Sequence, residues 1–129
     1  MKKIFIVALL LVACVFLLYK RSTQLIQNSM PTDTLYVFVQ EGCPHCHHAL
    51  DYINGTVRTT YPDLNIEVLD IADKKNSAKM FAMAQKYDLS LKRLGTPLLV
   101  LNNRTLMGWS AKHEKQLLNI IHALPAKNP

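Results

Sequence analysis

Two cysteines three residues apart, Cys43 and Cys46, stand where an apolar run gives way to a helix, and no other feature constrains the fold as much. Residues 34–39, TLYVFV, are β-branched, aromatic and apolar throughout, as a strand buried on both faces should be. Gln40-Glu41-Gly42 breaks the run, and Pro44 suits a first helical position, where its missing N–H would have no partner anyway. The pattern predicts a helix through about Arg58, bent at Asn54-Gly55. Two cysteines at this spacing on a helix start can close a disulfide within one turn. Cys43 falls at the helix N-terminus, where unpaired N–H groups and the positive dipole end favour a thiolate. The thiolate is the attacking species, so Cys43 is the expected nucleophile. Cys46, one turn further in and less exposed, suits resolution of a mixed disulfide. Pro44 and His45 are expected to tune the pair. An imidazole N–H or positive charge near the Cys43 sulfur stabilises the reduced form and makes the disulfide more oxidising.

The remaining pattern surrounds this unit with a β-α-β frame. Residues 64–71, LNIEVLDI, alternate as a second strand. A helix follows over about Lys74 to Tyr87, with Met80, Met83, Ala84 and Tyr87 on one face, a spacing that marks core filling. Residues 97–101, PLLVL, predict a third strand. Asn102-Asn103 fits a tight hairpin turn, and Arg104 to Met107 returns as a fourth strand. Gly108 ends that strand, and Ser110 is placed to cap a last helix. Leu117, Ile120, Ile121 and Leu124 form its apolar stripe, and Pro125 stops it.

With Gly95-Thr96-Pro97 immediately ahead of the third strand, the chain resembles the thioredoxin superfamily over about residues 33–124. The resemblance implies a thioredoxin-like α/β fold, β-α-β-α-β-β-α around a central mixed four-stranded sheet. It implies that Pro97 is cis and lies against the cysteines, with Thr96 offering its backbone to bound substrate. The residues alone leave an ordinary proline opening an edge strand as the alternative. The Pro44-His45 dipeptide is similar to that of Dsb-type oxidants. The compact outline and Met107-Gly108-Trp109-Ser110 look more like a glutaredoxin. Gln40-Glu41-Gly42 stands where glutaredoxins usually carry a lysine that meets glutathione. Val37 stands where thioredoxins bury an acid six residues before the first cysteine. The implied activity is protein thiol–disulfide exchange without a cofactor, with an oxidant role favoured over a reductant one. The implied partners are protein thiols or disulfides and a redox-recycling partner, and the domain is expected to act as a monomer. A non-catalytic thioredoxin-like binding module at a membrane complex is the alternative. Trp109 is left as either core or substrate-facing.

Residues 4–19, IFIVALLLVACVFLLY, carry no charge, glycine or proline. As a helix this run spans about 24 Å at roughly 1.5 Å per residue, and Lys20 and Arg21 can snorkel to cover what remains of the hydrocarbon core. No small-residue cleavage site follows, so residues 1–21 are expected to be a retained signal anchor, a single-pass transmembrane segment. Residues 22–32 form a polar tether, 33–125 the domain, and 126–129 a tail. The expected location is a bacterial inner membrane with the domain facing the periplasm. The alternative is a lipoprotein lipidated at Cys14, since Leu11-Val12-Ala13-Cys14 resembles a lipobox.

Three cysteines are too few for a disulfide-dense scaffold. The formal charge is +6, but four of the fifteen basic residues lie within residues 1–21. The rest of the chain carries eleven basic and nine acidic residues, a charge of +2, so no nucleic-acid partner is expected. Cys43, Cys46 and His47 or His48 bunch on one turn. His113 and His122 are nine apart and match no usual ligand pair, so no metal site is expected. No phosphate-binding loop or Ser/His/Asp arrangement is present.

Overall fold

The computed structural model describes residues 1–28 and 31–125, with side chains described for 1–21 and 31–125. Residues 29–30 of the expected tether and the tail at 126–129 lie outside the described residues. The chain divides into two units, Met1–Met30 and Pro31–Pro129.

The first unit is one helix, α1 (Lys2–Asn28). It runs past the apolar stretch into the first residues of the expected tether. Over Lys2–Arg21 it is long and apolar enough to cross a membrane, as a membrane anchor or a signal sequence is.

The second unit is built on a four-stranded mixed sheet in the order β2-β1-β3-β4. The strands are β1 (Thr34–Val39), β2 (Asn65–Asp70), β3 (Leu98–Leu101) and β4 (Arg104–Met107). β1 runs parallel to β2, pairing Val37 with Val68, and antiparallel to β3, pairing Phe38 with Leu98. The β3–β4 hairpin turns at Asn102 and Asn103, both at positive φ (49° and 58°), a conformation asparagine adopts more readily than most residues. Every residue of β1 is buried, because the strand is central and both its faces are covered.

Alternation along β1 assigns the two faces. Leu35, Val37 and Val39 join Leu99, Leu101 and Leu106 in one cluster beneath two helices. These are α2 (Pro44–Tyr52), which contributes Cys46 and Ala49, and α5 (Ala111–His122), which contributes Leu117, Ile120 and Ile121. Tyr36 and Phe38 point to the other face. There α4 (Lys74–Lys86) buries Met80, Met83 and Ala84, and the Lys79 ammonium lies 5.6 Å from the Tyr36 ring centroid. Burial pushes the Tyr36 phenol above its usual pKa, and the Glu67 carboxylate adds to the effect.

Three local details depart from the sequence expectations. The helix after the cysteines is not uniform: α2 passes into a π turn at Ile53–Val57 and then α3 (Arg58–Thr60). The expected bend at Asn54-Gly55 is therefore an extra residue in the turn, of the kind that re-aims a helix without ending it. Ser110 stands at the N-cap of α5, but its side chain does not cap. Its Oγ lies 3.0 Å from His113 Nδ1, while its carbonyl accepts the His113 and Glu114 N–H groups. A short 3₁₀ turn, Leu91–Arg93, fills part of the segment read as loop.

Candidate active site

Strand β1 delivers the chain to the disulfide. After Val39 the backbone turns at Gly42, whose φ of +73° is accessible to glycine and strained for residues with a Cβ. A Cβ built there meets nothing within 4 Å, so only conformation is at issue. Gly42→Ala is expected to cost about 1 kcal/mol, read as a lower urea midpoint with an unchanged m-value.

Cys43 and Cys46 form a disulfide, with Cα atoms 5.2 Å apart. Cys43 is the N-cap of α2, and its sulfur accepts the Cys46 N–H at 3.3 Å. Its carbonyl accepts the His47 N–H at 3.2 Å, which closes the first helical turn. The local sequence explains the geometry. Pro44 gives up no helical hydrogen bond at the first position, and the sulfur takes the capping role that serine or aspartate usually fills. Cys43 is partly buried, whereas Cys46 is 2% exposed and sits in an entirely apolar cluster. The two sulfurs thus differ in access and in polarity.

The Thr96–Pro97 peptide bond is cis. The Thr96 carbonyl oxygen lies 3.6 Å from Cys43 Sγ, and the Thr96 hydroxyl donates to the same sulfur at 3.7 Å. Pro97 in turn accepts the Gly108 N–H at 2.8 Å, tying the end of β4 to this loop. The structure thus brings Cys43, Cys46, Thr96 and Pro97 together from segments 53 residues apart in sequence.

Pro44 and His45 occupy the first turn of α2 and are exposed. Trp109 is 8% exposed and joins the Cys46 cluster, its ring 5.6 Å from that of Tyr52, so it packs in the core. Burial raises the Tyr52 phenol above its usual pKa, with a smaller push from the Glu114 carboxylate. Val37 is fully buried in the Cys46 cluster, which places hydrocarbon where thioredoxins bury an acid. His47 and His48 are exposed, and no group of three or more potential metal ligands converges among the described residues.

Sequence reasoning missed the Thr96 hydroxyl, which adds a side-chain contact to the backbone one. A hydroxyl residue just before this proline was the available signal.

No family model and no curated protein sequence matches the chain. Solved structures do. The glutaredoxin from Archaeoglobus fulgidus is 15% identical and superposes with a TM-score of 0.51, over 74% of this chain and 91% of its own. The thioredoxin-like protein BC3987 is 21% identical with a TM-score of 0.47, over 65% of this chain and 99% of its own. A mutated buckwheat glutaredoxin is 16% identical with a TM-score of 0.47, over 79% of this chain and 81% of its own. The second unit therefore has a thioredoxin-like fold, with its cysteine pair at the start of the helix that follows β1.

Proposed function

We propose that this chain is a membrane-anchored protein thiol–disulfide oxidoreductase that acts as a dithiol oxidant through Cys43 and Cys46. The observation that carries the reading is the unequal pair: an accessible Cys43 sulfur held by polar donors, disulfide-bonded to a Cys46 sunk in hydrocarbon. A substrate thiolate attacks Cys43 Sγ, forming a mixed disulfide and breaking the Cys43–Cys46 bond. Cys46 leaves and takes up a proton, because its apolar surroundings disfavour a buried thiolate. A second substrate thiolate then attacks the substrate sulfur of the mixed disulfide and expels Cys43 as thiolate. Two electrons pass from the substrate dithiol to the pair, and a redox-recycling partner must take them on.

Direction follows from what stabilises the Cys43 thiolate. The Cys46 N–H, the Thr96 hydroxyl and the positive end of α2 all favour it, and His45 on the first turn adds donor capacity or charge. Each stabilises the reduced form and so raises the oxidising power of the disulfide. Thr96 and Pro97 hold substrate backbone beside Cys43. In the test, the oxidised full-length chain in neutral detergent is mixed with a reduced, unfolded protein. Loss of substrate thiols matched by the appearance of thiols on Cys43 and Cys46 is expected; no transfer overturns the reading.

Helix α1 is the retained anchor in this reading, with the domain on the periplasmic side. The full chain is expected to sediment with membranes and resist alkaline extraction, while a chain lacking residues 1–21 is expected in the soluble fraction. Intact mass separates the two anchors. A retained helix leaves 14.7 kDa of polypeptide, whereas lipidation at Cys14 removes residues 1–13 and adds acyl mass.

A further inference from the structure

Two exposed cations stand just ahead of the Thr96 segment that touches the disulfide. Phe38 of β1 pairs with Leu98 of β3, so the segment entering β3 arrives at the same end of the sheet as the cysteines. That segment is the 3₁₀ turn Leu91–Arg93, followed by Leu94-Gly95-Thr96. Leu91 is 48% exposed, and Lys92 and Arg93 are exposed. Neither cation forms an ion pair among the described residues. Arg93 is three residues from Thr96, hence within about 10 Å of it along the chain, and the Thr96 carbonyl lies 3.6 Å from Cys43 Sγ. Glu41 is exposed two residues before Cys43 and also makes no ion pair among the described residues. Asp70 and Asp73 at this end of the sheet are engaged locally, their carboxylates accepting the Ala72 and Lys75 N–H groups.

We infer that the preferred substrates are cysteine-containing protein segments that are acidic where they run past Thr96. The inference rests on the oxidoreductase reading and names its substrate class. The two cations lie within about one Debye length of a segment docked at Thr96, so they favour acidic residues there and repel basic ones.

The test uses the oxidised full-length chain in neutral detergent and four synthetic peptides of one sequence around a single cysteine. Two glutamates or two lysines lie on its N-terminal or its C-terminal side, and dithiothreitol serves as a small uncharged reductant. One of the glutamate peptides is expected to react about fivefold faster than its lysine counterpart at low salt, with the preference fading in high salt. In a Lys92→Glu/Arg93→Glu variant the ratio of the two rates is expected to invert. A merely structural defect scales both rates alike and leaves the ratio unchanged. Equal peptide rates with normal reduction by dithiothreitol overturn this inference and leave the oxidoreductase reading standing. Failure of every peptide and of dithiothreitol to reduce the pair overturns the reading itself.

Discussion

Cys43→Ser is expected to abolish disulfide transfer to protein thiols, a loss of about 10³-fold or more, while leaving the domain folded. Cys43 is the sulfur with access and with polar contacts, so nothing else in the site can form the mixed disulfide. The fold survives because serine is among the best N-cap residues and can accept the same Cys46 N–H that the sulfur accepts. Cys46→Ser is expected to behave differently. The lone Cys43 thiolate still attacks a protein disulfide, forming a mixed disulfide and releasing the other substrate sulfur as thiolate. No Cys46 thiol remains to displace the substrate, so on disulfide-containing proteins mixed disulfides accumulate. Non-reducing gels read both outcomes: no adducts for the first variant, and adducts cleared by reductant for the second. Full biological activity of Cys43→Ser would instead support the non-catalytic binding module.

The largest expected stability effect lies at Phe38. It is fully buried on β1, which has a neighbouring strand on each side, and it faces the α4 layer. Truncation to alanine removes most of a large side chain from a site that strands on two sides and a helix above hold in place. Phe38→Ala is therefore expected to cost about 3–5 kcal/mol. Domains of this size are stable by roughly 5–15 kcal/mol in total, so the variant should unfold at a much lower urea concentration. Val68→Ala serves as the contrast. Val68 is exposed on edge strand β2, and its truncation is expected to change stability by less than about 1 kcal/mol.

The sequence made the sheet legible because its strands differ in burial. β1 and β3 read as unbroken apolar runs and are buried throughout. β2 alternates only in sequence; at the edge of the sheet it is partly buried at Ile66 and Leu69 alone. The Asn102-Asn103 turn was legible for a chemical reason, the tolerance of asparagine for positive φ. The π turn at Ile53–Val57 was not, because an extra residue in a helical turn leaves the apolar periodicity almost intact and depends on tertiary fit. Asp73 caps α4 through the Lys75 N–H, which the Asp residue just ahead of that helix could have signalled. Ser110 illustrates the converse. Position and residue type both suit a cap, but the nearby His113 ring offers its hydroxyl another partner. In the site, spacing alone indicated the cysteine pair. The approach of Thr96 to Cys43 needed a contact across 53 residues, which no local pattern encodes and only the family resemblance supplied.

The reduction potential of the Cys43–Cys46 pair in the full-length chain, measured by equilibration with glutathione redox buffers, tests the central claim most directly. Stabilisation of the Cys43 thiolate predicts a potential near −120 mV, in the range of strong disulfide donors. A value between about −230 and −270 mV, the range of glutaredoxins and thioredoxins that work as reductants, would contradict the oxidant role and the tuning argued for this site.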